Sequence, residues 1–289
     1  MATNTEIFTR TIYGSKLQTA MLLGKTPVID TNTTLNEKFG IQANVNPSAA
    51  DKLAAKYLAI GIGGHRSIAG AEGITYTASR RHRASDATCF KHMPFVLRRI
   101  NNDLTVDERA KYALRREETH GGLQYYAYYL KRIELADVVP AMQYTVVDNG
   151  VETTQPFVPT NSNLNPVQTD LTNTEVVSTS GNYLSVSAVI PINFTQADVE
   201  EYKAVARILY DNELMAIISE LAICSGVDRN VQGTVNGSNF TYAEAVAVQI
   251  LTHITTYYSV GFTNEGFDFT FEMGETEPMF NTSDVTSGN

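Results

Sequence analysis

The stretch Met142-Gln-Tyr-Thr-Val-Val-Asp-Asn-Gly-Val-Glu-Thr-Thr-Gln155 decides the fold class of this chain of 289 residues. Two runs rich in β-branched and aromatic residues flank Asn149-Gly150, and this dipeptide between such runs is a strong signal for a tight hairpin turn. The sequence therefore predicts a β-hairpin near 142–156. The strict alternation of Phe267-Asp-Phe-Thr-Phe-Glu-Met273 is typical of a further strand with one buried face.

Other strands and helices are predicted on both sides of this hairpin. Apolar or aromatic runs favour strands, which are expected at 57–62, 123–133, 183–190 and 214–224. Apolar spacing and capping patterns favour helices, which are expected over 5–23, from Thr105 to Gly121-Gly122, from Thr195, and from Thr241 to about Tyr258. Stretches rich in polar residues and glycine are expected to be loops or polar excursions, at 25–51, 66–85 and 227–239.

These elements indicate an α+β protein of mixed helices and antiparallel strands. Its C-terminal half is expected to run strand, helix, strand, helix, strand. Residues 159–182 are mostly Thr, Asn, Ser, Pro and Gly, which predicts an extended linker or arm. The predicted division is therefore a mixed α+β region at 1–158, the linker at 159–182 and an acidic α+β region at 183–289.

Composition excludes several classes of protein. No run approaches eighteen consecutive apolar residues, so no membrane span is expected. The first residues lack the basic flank and apolar stretch of a signal peptide. Cys89 and Cys224 are far apart in sequence and predict two buried thiols in a reducing cytoplasm, not a disulfide framework.

Charge is distributed unevenly along the chain. Residues 1–79 carry seven Lys/Arg and five Asp/Glu, residues 80–132 carry twelve and six, and residues 133–289 carry three and twenty. Such polarity favours complementary docking with another copy or a neighbour. The alternative is a solvated acidic domain beside a mildly basic one.

The basic segment 80–132 supplies the candidate interface residues. They comprise seven arginines and four tyrosines: Arg80, Arg81, Arg83, Arg98, Arg99, Arg115, Arg116, Tyr125, Tyr126, Tyr128 and Tyr129. Arginine forms two-pronged bonds with carboxylates, which favours pairing with an acidic neighbour. The six intervening acids and the net acidity disfavour nucleic acid as a partner. The tyrosines could stack on sugars, but interface or core packing is the favoured interpretation.

Catalytic motifs are not apparent. Gly61-Ile-Gly-Gly64 fails the dinucleotide pattern because Arg66 stands where a third glycine is required. Cys89 and His92 have the spacing of metal ligands, but nothing completes a site. Glu117-Glu118 with His120 could form an acid–base cluster, although solvent-facing carboxylates at the end of a basic helix are the favoured interpretation. The sequence thus predicts no catalytic residue, metal or cofactor, and His65, His82, His92 and His120 are expected not to converge.

Five segments spread over the chain carry a resemblance to a known family. They are Tyr57-Leu-Ala-Ile-Gly-Ile-Gly-Gly-His65, Pro94-Phe-Val-Leu-Arg98, Tyr128-Tyr-Leu-Lys-Arg132, Phe157-Val-Pro-Thr-Asn-Ser-Asn-Leu-Asn-Pro166 and Ile218-Ser-Glu-Leu-Ala-Ile-Cys-Ser-Gly-Val-Asp-Arg229. These segments resemble tail-associated structural proteins of contractile-tailed bacteriophages. The opening Ile7-Phe-Thr-Arg-Thr-Ile-Tyr-Gly-Ser-Lys-Leu-Gln-Thr-Ala-Met-Leu22 is similar to the start of a baseplate wedge protein.

This resemblance implies a virion structural protein of the baseplate, tail or neck, and not an enzyme. It also implies other virion proteins as partners, a homo-oligomer or hetero-assembly, and synthesis in the host cytoplasm before incorporation into the virion. Two alternatives stay open. One is a host-recognition module that binds glycans, and the other is a hydrolase with a non-local active site.

Overall fold

The computed structural model describes residues 6–30, 34–70, 73–165, 179–235 and 237–280. Antiparallel strands predominate in these ranges, so the predicted mixture of helices and antiparallel strands is present, but the protein is mainly β with a smaller helical part and not a balanced α+β protein. The strands are β1 Ile7–Arg10, β2 Tyr57–Gly61, β3 His65–Ala69, β4 Thr75–Ser79, β5 His92–Met93, β6 Val96–Arg99, β7 Tyr112–His120, β8 Leu123–Arg132, β9 Ala141–Asp148, β10 Val151–Pro156, β11 Thr179–Phe194, β12 Ile217–Val235, β13 Ser238–Ser259 and β14 Phe267–Phe280. The helices are α1 Ile12–Leu22, α2 Thr34–Lys38, α3 Val106–Arg109, α4 Asn161–Leu164, α5 Gln196–Tyr210 and α6 Val260–Thr263, with a 3₁₀ turn at Glu213–Met215.

Contacts group the chain into two compact units. The first contains Met1–Glu134 and Asn193–Phe267, and the second contains Leu135–Ile192 and Asp268–Asn289. The division into 1–158, 159–182 and 183–289 is based on composition, and it stays a prediction. Much of the expected linker, from 166 to 178, lies outside the described residues.

The first unit contains an eight-stranded antiparallel sheet. Its strand order is β1-β13-β12-β2-β8-β6, with β5 paired to β2 and β7 paired to β8. The centre is the long hairpin of β12 and β13, whose residues 217–227 and 245–254 supply much of the buried core. Helix α5 packs against β6 through a face that includes Val199, Tyr202 and Ala206. The predicted helix from Thr195 is confirmed, with its capping box to Asp198.

The helix predicted from Thr241 to Tyr258 is wrong, because this segment is β13. Its alanines favour a helix, but Val, Ile, Thr and Tyr dominate its second half and favour a strand. The strand lies between β1 and β12 and is buried on both faces, so its apolar residues do not alternate with polar ones. The loop predicted at 227–239 is also wrong, since β12 continues to Val235 and stays paired with β13.

Two other helix predictions are partly wrong. The capping box of Thr105 and Glu108 is present, but it caps one turn, α3. The following residues form β7, and Gly121 and Gly122, with φ of 56° and 77°, make the turn into β8. At the N-terminal end of the described chain, Ile7–Arg10 pairs with β13, so the predicted helix 5–23 is shortened to α1.

The second unit contains a four-stranded sheet of order β10-β9-β11-β14. The predicted hairpin near 142–156 is confirmed as β9 and β10, and the turn residues Asn149 and Gly150 have φ of 51° and 79°. Positive φ at both positions is the geometry that Asn-Gly favours. The predicted strands at 183–190 and 267–273 are confirmed within β11 and β14. Among the described residues, no helix is both long and apolar enough to cross a membrane.

Candidate assembly interface

Strands β3 and β4 form a two-stranded hairpin, the arm hairpin (residues 65–70 and 73–79), which pairs with no other strand in the ranges that the structure describes. The amide of Gly70 donates to the carbonyl of Ile74 at 2.7 Å, and the amide of Arg80 donates to the carbonyl of Gly64 at 2.7 Å. Hydrogen-bonded and non-hydrogen-bonded pairs alternate along an antiparallel ladder, so these two bonds show that the cross-strand pairs of even-numbered residues are the hydrogen-bonded ones. The peptide groups of the odd-numbered positions therefore point outward along both edges. An isolated hairpin of this kind is marginal in water unless something packs on it.

The two faces of the arm hairpin differ in chemistry. Opposite residues share a face, so Ile68, Ile74 and Tyr76 lie on one side together with Arg66. The exposed fractions of Ile68, Ile74 and Tyr76 are 38%, 52% and 53%. The other face carries serine and threonine, at Ser67, Thr75, Thr77 and Ser79. The arm hairpin is therefore amphipathic, and its apolar face is exposed.

The root of the arm hairpin is held by a buried carboxylate. Glu220 Oε1 accepts from the amides of Gly63 at 2.7 Å and Lys91 at 3.1 Å. Its Oε2 accepts from the amide of Phe90 at 2.7 Å and lies 3.0 Å from Nε2 of His82. We call Glu220 with these four donors the Glu220 anchor. It joins the segments immediately before and after the arm hairpin to the central strand β12.

Further bonds fix both ends of the arm hairpin to the same sheet. The amide of Gly64 donates to Oγ of Ser219 at 3.0 Å, and Oγ1 of Thr255 donates to the carbonyl of Arg80 at 2.8 Å. A Cβ at position 63 would lie 2.7 Å from the Glu220 carboxylate, so glycine is required there. The glycines that fail the dinucleotide pattern are thus explained by close approach to β12.

Electrostatics keep Glu220 ionised. Burial raises the pKa of its carboxyl, but the hydrogen bonds from His82 and from the amides of Phe90, Lys91 and Gly63 outweigh this effect and lower the pKa below its ordinary value. The His82 ring is stacked between the rings of Phe90 and His253, with centroids 4.1 and 3.8 Å away.

The remaining histidine contacts are also structural in character. Burial, followed by the nearby His82, lowers the pKa of His253 to about 4. Burial lowers the pKa of His92 to about 3, and its Nε2 accepts from the amide of Cys89 at 3.1 Å. The Cys89 thiol is buried, which raises its pKa. In the described part of the chain, no three His, Cys, Asp or Glu side chains are arranged to hold a metal ion.

The candidate arginines fall into two groups. Three of them form ion pairs within the first unit. Arg98 pairs with Glu201 and Arg116 with Glu244, both in the acidic C-terminal part of the sequence. Arg115 pairs with Asp103 of the basic segment at 3.0 Å. Arg115 is buried, and its guanidinium lies 3.4 Å from the centre of the Tyr126 ring. The opposite charges of these sequence segments are therefore partly neutralised inside the first unit.

Of the other candidate arginines, Arg80, Arg81 and Arg83 follow the arm hairpin directly in sequence, whereas Arg99 lies on β6. Arg66 and Arg81 are exposed, and in the described ranges neither they nor Arg80 and Lys91 lie within ion-pair distance of a carboxylate. The guanidinium of Arg80 lies 3.9 Å from the centre of the Phe90 ring. Arg83 and Arg99 are also exposed; Arg83 pairs with Asp86 at 3.1 Å, and the Arg99 guanidinium is 5.0 Å from the Tyr125 ring. A concavity of about 670 Å³ beside the root is lined by both Arg81 and Arg83.

The four candidate tyrosines lie in β8, as the predicted strand 123–133 requires, and all four are buried. The hydroxyl of Tyr128 donates to Asp103, and that of Tyr129 donates to Glu118 at 2.6 Å. Burial and the neighbouring Glu118 raise the pKa of Tyr129. These rings are therefore packed against the chain itself and present no stacking surface for a sugar.

The residues of the possible acid–base cluster, Glu117, Glu118 and His120, lie on strand β7 and not at a helix end. Glu118 Oε2 lies 2.7 Å from Nε2 of His120, two residues along β7. Glu117 points to the opposite face, because neighbouring strand residues alternate. The three groups therefore do not share one pocket.

The sequence did not reveal Glu220, its contact with His82, or the stacking of His82 on His253. A signal was present, since Glu220 is a single carboxylate in the apolar run Ile217-Ile-Ser-Glu-Leu-Ala-Ile223. A carboxylate in a predicted buried strand must find several donors, because burial of an unpaired charge is strongly unfavourable.

Comparison with known proteins gives a family. Residues 1–288 match a family of unknown function, DUF7208. The chain belongs to this family. None of the curated proteins and none of the solved structures with which the chain was compared matches it.

Proposed function

We propose that this member of the DUF7208 family is a virion structural protein of a tailed bacteriophage, acting through protein–protein interfaces in the baseplate, tail or neck. It would be made in the host cytoplasm and carried in the virion. The sequence segments that resemble tail-associated proteins support this proposal. Its partners are other virion proteins, in a homo-oligomer or a hetero-assembly.

The observation that carries the proposal is the exposed apolar face of the arm hairpin. Monomeric proteins seldom expose clustered apolar side chains on an unpaired two-stranded sheet, because such a surface promotes association. Here the cluster of Ile68, Ile74 and Tyr76 is held in place by a buried anchor. An exposed apolar surface on a firmly rooted element suits a protein that is completed by a neighbour.

The alternatives have less support. Binding of glycans by stacking would require exposed rings, but Tyr125 to Tyr129 of β8 are packed in the interior. Hydrolysis would require a nucleophile or base set within reach of a substrate. The Glu118–His120 pair lacks the third group, since Glu117 lies on the other face of β7.

Analysis of intact particles tests the proposal. Particles released by the genome that encodes this chain are purified, and their proteins are quantified by mass spectrometry. Gold-labelled antibodies against the chain then locate it in electron micrographs, with preimmune antibodies as the control. We expect a fixed copy number per particle and label on the tail, neck or baseplate. Absence of the chain from intact particles would refute the proposal.

A further inference from the structure

We infer that the arm hairpin docks onto the four-stranded sheet of the second unit in another copy of this chain, in a head-to-tail arrangement. This inference rests on the proposed assembly function and names the partner surface. Two properties identify the second unit as the surface to which the arm hairpin binds. The two surfaces have opposite charge, and each has an exposed apolar face.

Charge is the first complementary property. The second unit carries ten Asp/Glu residues and no Lys or Arg, so its carboxylates have no basic side chain within the same unit. The root of the arm hairpin carries Arg66, Arg80, Arg81 and Lys91, without carboxylates at ion-pair distance in the described ranges. The positively charged root of the arm hairpin in one copy is therefore attracted to the negatively charged second unit of another copy.

Apolar surface is the second complementary property. On one face of the second unit's sheet, Met142 is opposite Val186, and Tyr144 is opposite Leu184. The exposed fractions of Met142 and Val186 are 43% and 47%, while Tyr144 and Leu184 are partly exposed. This face can cover the apolar side of the arm hairpin, and neither surface then remains in water.

The arrangement is heterologous, because two different surfaces of the chain meet. Each copy therefore offers one arm hairpin and one sheet, and repetition of the contact generates a ring or an open helical array. This geometry fits a protein of a symmetric assembly. It also gives a test that separates head-to-tail docking from hairpin-to-hairpin docking.

The test uses two variants of the full chain, each defective in one surface. The hairpin variant carries Ile74→Ser and Tyr76→Ser, and the sheet variant carries Met142→Ser and Val186→Ser. Val106→Ser, at an exposed apolar position of α3, is the matched control. Circular dichroism and thermal unfolding show that each variant is folded, and sedimentation velocity measures association.

We expect the wild type and Val106→Ser to associate, and the dissociation constant to rise with salt because the charges are screened. Each double variant should associate at least about tenfold more weakly, as loss of central apolar contacts does in protein interfaces. An equimolar mixture of the two double variants should form dimers, because one intact hairpin meets one intact sheet, and should form no larger species.

Three results would overturn the inference: a monomeric wild type at every concentration, unchanged association of the hairpin variant, or a mixture that stays monomeric. These results leave the proposed function standing if the chain is still found in particles. Conversely, dimers from the mixture together with absence from particles would support docking between copies and refute the virion role.

Discussion

The substitution Glu220→Gln removes the negative charge from the Glu220 anchor and leaves the size of the side chain unchanged. The carboxylate accepts from three backbone amides and faces His82 Nε2. Glutamine has one acceptor oxygen and one donor NH₂ group, so its best orientation directs NH₂ toward His82, whose ring nitrogen can accept. The amide of Phe90 then faces a donor.

The loss of free energy of unfolding follows from these contacts. A hydrogen bond to a charged group contributes about 1.5–3 kcal/mol, and a buried donor left without an acceptor costs about 1–3 kcal/mol. One unsatisfied amide and the weakening of the other bonds therefore predict a loss of about 2–5 kcal/mol. This is a large share of the roughly 5–15 kcal/mol that a folded domain typically has.

Urea unfolding of the purified chain measures the effect, and hydrogen exchange locates it. We expect faster exchange at the amide of Phe90, which loses its acceptor, and at the amides of Gly63 and Gly64 at the root of the arm hairpin, where the remaining bonds weaken. Glu117→Gln is the matched control, because Glu117 is also a strand glutamate but is exposed. A loss below about 1 kcal/mol, which is no more than one ordinary hydrogen bond, would refute the argument.

The pH dependence supplies a second check on Glu220. Its folded pKa is lowered, so the ionised carboxyl stabilises the fold above the unfolded pKa and loses this contribution as the pH falls through the folded pKa. The difference between wild type and Glu220→Gln should therefore be largest at neutral pH and shrink in acid. A constant difference at all pH values would contradict ionisation of Glu220.

Three further predictions concern other parts of the chain. The free energy of unfolding of the wild type should fall by on the order of 1 kcal/mol per pH unit for each of His92 and His253 as the pH falls from about 6.5 toward their folded pKa values of about 3 and 4. The reason is that only the unfolded chain takes up these protons in this range. His92→Gln should therefore reduce the slope of the free energy of unfolding against pH, and an unchanged slope would contradict this. Arg115→Ala should destabilise the chain by about 3 kcal/mol, because the buried carboxylate of Asp103 is then poorly paired. Arg99→Ala, at an exposed position, should change the stability by less than about 0.5 kcal/mol. Equal losses in urea unfolding would contradict the different burial of the two arginines. Limited proteolysis should cut first within 159–182, since its composition cannot bury enough apolar surface, and first cuts elsewhere would contradict the predicted linker.

Local signals predicted part of the fold correctly. The hairpin of β9 and β10 is encoded by its turn residues Asn149 and Gly150, and the start of α5 by the capping box of Thr195. Both depend on residues within a few positions of each other. The segment from Thr241 to Tyr258 could not be assigned in this way, because its strand state depends on pairing with β12 and β1.

The charge pattern likewise could not be interpreted from local sequence alone. Counting charge along the sequence suggested that the basic segment was available to a partner. In the structure Arg116 pairs with Glu244, which is 128 positions away, and Arg98 pairs with Glu201. Only tertiary contacts reveal which charges are neutralised within the chain and which, such as Arg66 and Arg81, stay exposed.

The Glu220 anchor and the arm hairpin are connected by a thermodynamic argument. A hairpin that must become ordered on binding loses conformational entropy at that moment, and this weakens association. Gly63 before the arm hairpin and His82 after it are both bound to Glu220, so the root is already ordered in the free chain. Glu220→Gln should therefore weaken docking between copies without touching the docking surface. Sedimentation velocity at a temperature where the variant is folded measures this, and a dissociation constant equal to that of Glu117→Gln would show that the root contributes nothing to association.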